Sequence, residues 1–379
     1  MTAASDGSGY LLYHSIGQYP GKAAEMARGL AAFSDDWGRP DTAQWPIALG
    51  LRASFLTRWQ TILNAPEASL TTTENVTMAV ASVVLALPED RLRGRVVLIA
   101  EDCFPSNHFL LTALADRLGF TLRTVPLRPG ADWVEDEDFI AAWTPEVSLA
   151  LITWISSLTS HRVDLPALFG HGRRMGSLVG LDVTQGAGLL PVDVREPAVD
   201  FVVSTSLKWM CGSPGAGVLY VAPELLGQTA PSLRGWFSQP DPFNWDLARF
   251  SYAEDIRRFD TGTPAVMAAV ASLPALEWHA RQDHAALLSH NRALQSRLQE
   301  GAEELGLTLA SPARLEKRGG SLMLKLRDPE QVQDMLARLA RVNVQADGRG
   351  NLLRMSPGVL TTENGIDRAL EAMKSHARD

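Results

Sequence analysis

The chain has 379 residues and a mass of 41.2 kDa; 46% of its residues are hydrophobic and 21% are charged. This composition excludes disordered and fibrous proteins, and the length is sufficient for one large domain and a smaller one. The formal net charge is −8 and no block of five or six like charges occurs, which argues against a nucleic-acid partner.

Targeting and metal signals are missing from the sequence. The first residues carry neither the basic nor the apolar region of a signal peptide, and no apolar run approaches the roughly 18 residues that span a bilayer. We therefore expect a soluble cytoplasmic protein with no membrane partner. The two cysteines, Cys103 and Cys211, form no CxxC site, and the eight histidines lack HExxH spacing, so no metal is expected.

Hydrophobic periodicity predicts helices first and then an alternation of strands and helices. Helical spacing covers 22–36 and 50–64, and the hydroxyl-rich residues 71–75 are typical of the cap of a helix over 76–87. The short apolar runs that follow predict strands over 96–100, 121–125, 149–154, 178–182, 201–205 and 217–221, with helices that include 108–118, 137–142 and 165–175. This order indicates an α/β fold with a mostly parallel sheet covered by helices on both faces.

The last third of the chain has the pattern of a separate, smaller α+β unit. A long helical pattern over 266–305 precedes predicted strands over 320–326, 343–346 and 352–355 and predicted helices over 330–339 and 364–374. We therefore divide the chain into an N-terminal segment that joins the small domain (1–49), a large domain (50–265), and a linking helix with the small C-terminal domain (266–379).

An acid and a lysine end two consecutive predicted strands of the large domain. Asp182 ends one strand, and Lys208 follows the end of the next. In an α/β sheet the carboxyl ends of the strands face one crevice. A lysine there can hold an aldehyde cofactor as a Schiff base, and a buried carboxylate keeps a heterocyclic nitrogen protonated. These are the two requirements of pyridoxal 5'-phosphate (PLP) catalysis.

The residues around this pair form a longer pattern. It runs D-x-x-Q from Asp182 to Gln185, then a Ser/Thr-rich stretch before Lys208, then G-x-P-G at 212–215. The pattern resembles the class V aminotransferase family of fold type I PLP enzymes, and within it the kynureninase-like branch. Further matches to the family follow in order at 15–17, 104–107, 234–237, 262–264 and 354–357. The resemblance implies PLP as the cofactor.

The resemblance also implies roles for the matching residues. Lys208 would form the Schiff base and then move the substrate Cα proton, and Asp182 would pair with the pyridinium nitrogen. Phe104 would stack on the cofactor ring, and Gln185 would lie near its phenolic oxygen. The remaining cofactor contacts would be Asn107, Thr73, Glu74 (through its backbone N–H), Asn75, Thr205, Ser206, Trp236 and Thr263. The position of Thr263 reaches the neighbouring subunit's cofactor in the family, which implies a homodimer with a composite active site.

Arg354 matches the arginine that grips the substrate α-carboxylate, so the resemblance implies an L-α-amino acid as substrate. Ser156 and Ser157 replace bulkier polar residues of the family and predict a roomier, hydroxyl-lined pocket. Ser15 and Trp45 complete the predicted substrate contacts, since aromatic walls suit a bulky side chain.

Departures from the family narrow the reaction. Kynureninases have Tyr where this chain has Leu207 and His where it has Gln185, which disfavours kynurenine hydrolysis; no cysteine follows Cys211, which disfavours desulfuration through a persulfide. The leading hypothesis is a β-lyase that acts on a cysteine S-conjugate or a kynurenine-type substrate, in antibiotic biosynthesis. The alternatives are a decarboxylation-coupled oxidative deaminase, an aminotransferase and a catalytically silent PLP-fold regulator.

Overall fold

The computed structural model describes residues 6–374. The helices are α1 (Lys22–Trp37), α2 (Gln44–Leu63), α3 (Val76–Val84), α4 (Glu89–Leu92), α5 (Pro105–Leu118), α6 (Asp136–Ala142), α7 (Leu165–Met175), α8 (Pro223–Leu226), α9 (Met267–Ala280), α10 (His284–Glu304), α11 (Pro329–Arg341) and α12 (Glu363–Lys374). The strands are β1 (Leu70–Thr73), β2 (Val96–Ala100), β3 (Thr121–Val125), β4 (Val147–Thr153), β5 (Leu178–Asp182), β6 (Phe201–Thr205), β7 (Gly217–Val221), β8 (Thr308–Leu309), β9 (Leu322–Lys325), β10 (Asp347–Arg349) and β11 (Leu352–Met355).

The large sheet has the strand order β1-β7-β6-β5-β4-β2-β3. Strands β2 to β6 pair in parallel, whereas β7 and β1 are antiparallel to their neighbours. Alternate residues of each central strand enter two different cores: in β6, Val202 packs in one and Phe201 and Val203 pack in the other. A strand that is buried on both faces reads as a continuous apolar run. The α/β class predicted from those runs is confirmed.

The small sheet has the order β10-β11-β9-β8, and all of its pairs are antiparallel. Its core lies between this sheet and α10, α11 and α12, and it includes Leu11 from the N-terminal segment. Two further N-terminal residues, Tyr10 and Leu12, form isolated bridges to Gln345 and Ser356. Helices α1 and α2 pack against α9 instead. The segment that precedes α1 is therefore fixed close to the carboxyl end of β11.

Three local predictions differ from the structure. Residues 71–73 form the strand β1 and only Asn75 caps α3, because the threonine side chains suit either element. The helical pattern over 266–305 is two helices, since the Asp283 side chain accepts hydrogen bonds from two backbone N–H groups and starts α10. The strand predicted over 343–346 is displaced to β10. Within residues 6–374, no helix is both long enough and apolar enough to cross a membrane.

Candidate active site

A cavity of about 420 Å³ opens at the carboxyl edge of the large sheet. Strands β4, β5 and β6 all end there because parallel strands present the same end to one edge, and α3 begins there after β1. The cavity brings together eight of the residues singled out from the sequence: Glu74, Asn75, Phe104, Ser157, Asp182, Gln185, Thr205 and Lys208. Residues from five separate parts of the chain thus meet in one crevice.

Lys208 is partly buried and lines this crevice. Its Nζ lies 5.3 Å from the centroid of the Phe104 ring, on the ring face. Burial lowers the pKa of Lys208 to about 8; the Asp182 carboxylate opposes this shift, and the positive charges of Arg354 and Arg349 add to it. The lowered pKa increases the fraction of molecules in which the amine is neutral, and therefore nucleophilic, near neutral pH.

The N-terminal segment holds the lysine loop in place. A Cβ atom on Gly17 would lie 1.8 Å from the Lys208 carbonyl oxygen, and the Gly17 backbone N–H donates to the Leu207 carbonyl at 2.9 Å. Only glycine permits so close an approach of two backbones. The Gln185 side chain forms a second hydrogen bond to the N-terminal segment, since its Nε2 donates to the His14 carbonyl at 3.0 Å.

Asp182 ends β5 with its carboxylate partly satisfied. Oδ1 accepts a hydrogen bond from the Thr184 backbone N–H at 3.0 Å, and Oδ2 accepts one from the Asn107 side chain at 3.3 Å. Asp182 is 5% exposed and lines the cavity. A buried carboxylate held in this way can accept a further charge-assisted hydrogen bond from a cationic ring nitrogen. Asn107 does not line the cavity itself; it acts there indirectly, by holding the Asp182 carboxylate with a hydrogen bond.

The N-terminus of α3 supplies donors for an anion. The Asn75 side chain caps the helix by accepting a hydrogen bond from the Met78 backbone N–H at 2.9 Å, and Val76 and Thr77 line the cavity. The first backbone N–H groups of a helix and its dipole favour a phosphate at this place. The Thr73 hydroxyl donates to the Asn75 carbonyl at 3.3 Å, so it supports the turn that leads into the helix.

Arg354 is joined to Asp347 across the small sheet. Its Nε and Nη2 donate to the two carboxylate oxygens of Asp347 at 2.8 and 2.6 Å, and Nη1 donates to the Ser157 carbonyl at 3.2 Å. A guanidinium carries five N–H groups, so one on Nη1 and one on Nη2 remain available. Ser157 lines the cavity, which places the guanidinium at its border.

His14 completes this network. Its Nε2 lies 2.9 Å from Asp347 Oδ1 and its Nδ1 lies 2.5 Å from the Ser356 hydroxyl. Burial lowers the pKa of His14, so the ring is neutral; Nε2 then donates to the carboxylate and Nδ1 accepts from Ser356. Although burial alone raises its pKa, the hydrogen bonds from His14 and Arg354 hold the pKa of Asp347 at about 2.

Five predicted cofactor contacts lie outside the cavity lining: Asn107 and Thr73, described above, and Ser206, Trp236 and Thr263. The buried Ser206 hydroxyl accepts a hydrogen bond from Trp59 Nε1 at 3.1 Å, so it packs α2 against the lysine loop. Trp236 begins a short 3₁₀ turn and lines a separate surface cavity of about 640 Å³. Thr263 is exposed and lines neither cavity.

Three predicted substrate contacts, Ser156, Ser15 and Trp45, also lie outside the cavity that contains Lys208. Ser156 is buried and lines a separate small cavity of about 20 Å³. Ser15 is half-buried in the turn before Gly17, next to the buried His14. Trp45 is 41% exposed, and its ring packs edge-on against Trp37 with 5.2 Å between centroids. The aromatic wall inferred for a bulky substrate is therefore not formed by Trp45.

Sequence reasoning missed several residues of the site. Thr153 and Thr184 line the cavity, and within residues 6–374 their buried hydroxyls have no hydrogen-bond partner. His14 and Asp347, which hold Arg354, were also missed. The only signal for them was position: His14 directly precedes the matched residues 15–17, and Asp347 lies one strand before Arg354.

Comparison with known proteins places this geometry in a family. The model of the family "Aminotransferase class-V" matches residues 57–367. The chain belongs to the class V aminotransferase family. It is 26% identical to the kynureninase of Pseudomonas fluorescens over 330 residues, which cover 84% of this chain and 77% of that protein. It is 30% identical to the kynureninase of Deinococcus radiodurans over 267 residues, which cover 68% of this chain and 62% of that protein, less than two thirds of its length.

The fold comparison agrees. A structure of the cystine C–S lyase C-DES in complex with its reaction product cysteine persulfide superposes with a TM-score of 0.87 and 21% identity over 98% of both chains. The family assignment and the kynureninase-like branch inferred from the motifs are confirmed. The fold is that of the type I PLP enzymes, and PLP is the cofactor of this family member.

The residues of the cavity fit PLP. Lys208 would hold the aldehyde, Asp182 would hold the ring nitrogen, and the start of α3 would hold the phosphate. The two unpartnered hydroxyls, on Thr153 and Thr184, offer hydrogen bonds that the protein itself leaves unmade. When bound, PLP stabilises the negative charge that develops at the substrate Cα.

Uptake of PLP by the cofactor-free protein should depend on pH with a midpoint near 8. Only a neutral amine adds to an aldehyde, and burial lowers the pKa of Lys208 to about 8, so uptake is slow below this pH and reaches a plateau above it. Stopped-flow absorbance measures the rate. In the natural protein the Asp182 carboxylate raises the pKa of Lys208. The Asp182→Asn variant lacks this charge, so its midpoint should shift to lower pH. A midpoint at about 10.4, the value of a solvated lysine, would contradict the assignment.

Asn75→Ala should weaken both the fold and PLP binding. Loss of the cap lowers the free energy of unfolding by about 1 kcal/mol and loosens the turn that presents the phosphate donors. Asp283→Ala is the matched control, because it removes the cap of α10, a helix that contributes no residue to the cavity. Urea denaturation should show similar losses for both, and PLP titration should show weaker binding for Asn75→Ala alone. Equal PLP affinity in the two variants would exclude a phosphate role for α3.

Proposed function

We propose that the protein is a PLP-dependent β-lyase that acts on an L-α-amino acid with a bulky β-substituent, either a cysteine S-conjugate or a kynurenine-type substrate. One observation carries the proposal: the amine of Lys208, with its pKa lowered to about 8, lies in one crevice with the Asp182 carboxylate, and Arg354 borders that crevice. The three groups correspond to a base, a partner for the cofactor nitrogen and a ligand for the substrate α-carboxylate.

Each group has a defined task in this reaction. Arg354 binds the α-carboxylate through its two free N–H groups and thereby orients the Cα–H bond. Lys208, released from the cofactor, takes the Cα proton as a neutral amine and returns it to the leaving group as an ammonium. For a cysteine S-conjugate the Cβ–S bond then breaks, and water completes the conversion to the free thiol, pyruvate and ammonia.

The cysteines do not suit a persulfide mechanism. The chain has two, and both are buried. Burial raises the pKa of Cys103 and of Cys211 to about 12, so neither is a thiolate at neutral pH. The relatives named kynureninase, and a cystine C–S lyase among the solved structures of the same fold, support the choice of these two substrate classes.

A homodimer forms part of the proposal. Trp236 and Thr263 match cofactor-binding positions of the family but do not line this chain's own cavity. The surface around Trp236 exposes Phe243, Trp245 and Leu247, an apolar area that suits contact with a second copy. Light scattering should report twice the chain mass. The place in antibiotic biosynthesis and the cytoplasmic location stay predictions from the sequence.

A substrate panel tests the reaction. The purified holoenzyme is incubated with L-kynurenine and with several cysteine S-conjugates, and products are followed by mass spectrometry and coupled assays. Pyruvate together with ammonia supports elimination, and anthranilate supports cleavage of kynurenine. Aldehyde with CO₂ and hydrogen peroxide would assign oxidative deamination instead, and an oxo acid that keeps its β-substituent would assign transamination. A holoenzyme that converts none of these compounds would contradict the proposal.

A further inference from the structure

The β10–β11 hairpin carries a second arginine on the face that bears Arg354. Asp347 pairs with Arg354 across the two strands, and Arg349 follows Asp347 by two residues in β10. Side chains two residues apart on a strand share a face, and directly opposite residues share it too. Arg349 therefore lies on the face of Arg354, about 7 Å along the strand from Asp347.

This face is turned toward the cavity. Arg354 donates a hydrogen bond to the carbonyl of Ser157, which lines the cavity. Asp347 is hydrogen-bonded to His14. The His14 carbonyl in turn accepts a hydrogen bond from Gln185, another residue of the cavity lining. The charge of Arg349 also acts on Lys208, where it helps to lower the pKa of the amine. Arg349 thus lies on the face that borders the crevice, close enough to Lys208 for its charge to act on the amine.

Arg349 differs from Arg354 in its surroundings. Within residues 6–374, no hydrogen bond or ion pair joins its guanidinium to another side chain, and the residue is exposed. Asp347, the nearest carboxylate along the strand, is already shared by Arg354 and His14. Of the two acidic residues that line the cavity, Asp182 ends β5 and Glu74 lies beside the start of α3, where a phosphate would bind.

We infer that Arg349 binds a second anionic group, at the distal end of the substrate's β-substituent. The inference rests on the proposed function only in taking an α-amino acid whose α-carboxylate binds Arg354. A guanidinium that is neither paired nor needed by the fold can form a bidentate hydrogen bond with a carboxylate at little structural cost. The preferred substrates are then amino acids with a second carboxylate or a comparable anion beyond Cβ.

Equilibrium binding tests the inference without turnover. L-2-Aminoadipate carries a distal carboxylate and no leaving group, and its side-chain amide is the neutral match. Calorimetric titration of the holoenzyme should show that the acid binds about 10- to 100-fold more tightly than the amide, as expected for a charge-assisted hydrogen bond. Arg349→Gln should remove this preference and leave the affinity for the amide unchanged. Arg349→Lys should keep part of it.

Arg117→Gln is the matched control, because it removes an exposed arginine at the far end of α5. It should leave both affinities unchanged. If the natural protein binds acid and amide equally, or if Arg349→Gln keeps the preference, the inference is wrong. An equal change in Arg117→Gln would assign the preference to net charge instead of a site.

Turnover provides the second measurement. S-Carboxymethyl-L-cysteine and S-carbamoylmethyl-L-cysteine differ only in the distal group, and the ratio of their kcat/KM values should fall by about 10- to 100-fold in Arg349→Gln. Any effect of the lost charge on the pKa of Lys208 acts on both substrates and cancels in this ratio. If the natural holoenzyme cleaves neither conjugate, the β-lyase proposal fails for these substrates, whereas the binding preference for 2-aminoadipate still decides the role of Arg349.

Discussion

Lys208→Ala should lose the visible absorbance band of lysine-bound PLP and at least about 10⁴-fold of its turnover. The variant lacks the covalent anchor of the cofactor and the base that moves the Cα proton, and a positioned base alone contributes up to about 10⁴-fold. The loss reflects chemistry and not folding, since Lys208 lies in the loop after β6 and its side chain borders an open cavity. Absorbance spectra and product assays on the purified variant provide both readouts.

Lys22→Ala is the matched control for this experiment. Lys22 is a half-buried lysine whose pKa is also lowered by burial, and its Nζ donates to the Gly17 carbonyl at 2.6 Å, close to the lysine loop but outside the cavity. It should keep the band and most of the turnover. An unchanged band in Lys208→Ala, or loss of the band in Lys22→Ala with retention in Lys208→Ala, would remove the central assignment.

The part of the site that lies on single strands could be predicted from the sequence. Asp182 and Lys208 each follow an apolar run, and the carboxyl ends of such strands share one edge, so local pattern and sheet geometry together suffice. The α/β class followed from the same runs, because they alternate with helix-length segments. Threonine-rich β1 was missed, since its residues also suit a helix cap.

The part that depends on distant contacts could not be predicted. His14 and Asp347 are 333 residues apart, and their hydrogen bond exists only because the N-terminal segment lies against the small sheet. The position of Ser206 in the sequence predicted a phosphate ligand. Its hydroxyl instead accepts a hydrogen bond from Trp59, which lies 147 residues away. Periodicity and motif spacing report neighbours along the chain, whereas these pairs are set by how separate elements pack.

Arg354→Ala should weaken the binding of α-amino acids by about 2 to 5 kcal/mol and leave PLP binding intact. Truncation of one partner of a desolvated, hydrogen-bonded charge pair has this magnitude, and part of it is the cost of leaving the substrate carboxylate unpaired. The variant also leaves Asp347 without the guanidinium that helps to hold its pKa at about 2, so the pKa of Asp347 rises. Spectral titration of the holoenzyme with an amino-acid ligand gives the affinity.

A ligand pair separates carboxylate recognition from general damage to the site. An amino acid and the amine that lacks only its α-carboxylate should differ strongly in affinity for the natural protein and little for Arg354→Ala. Asp347→Asn keeps the guanidinium but removes the charge of the residue that holds it, so we expect a smaller loss for the amino acid and none for the amine. If Arg354→Ala weakened both ligands and the cofactor equally, Arg354 would be a structural residue, and the α-carboxylate would need another partner in the crevice.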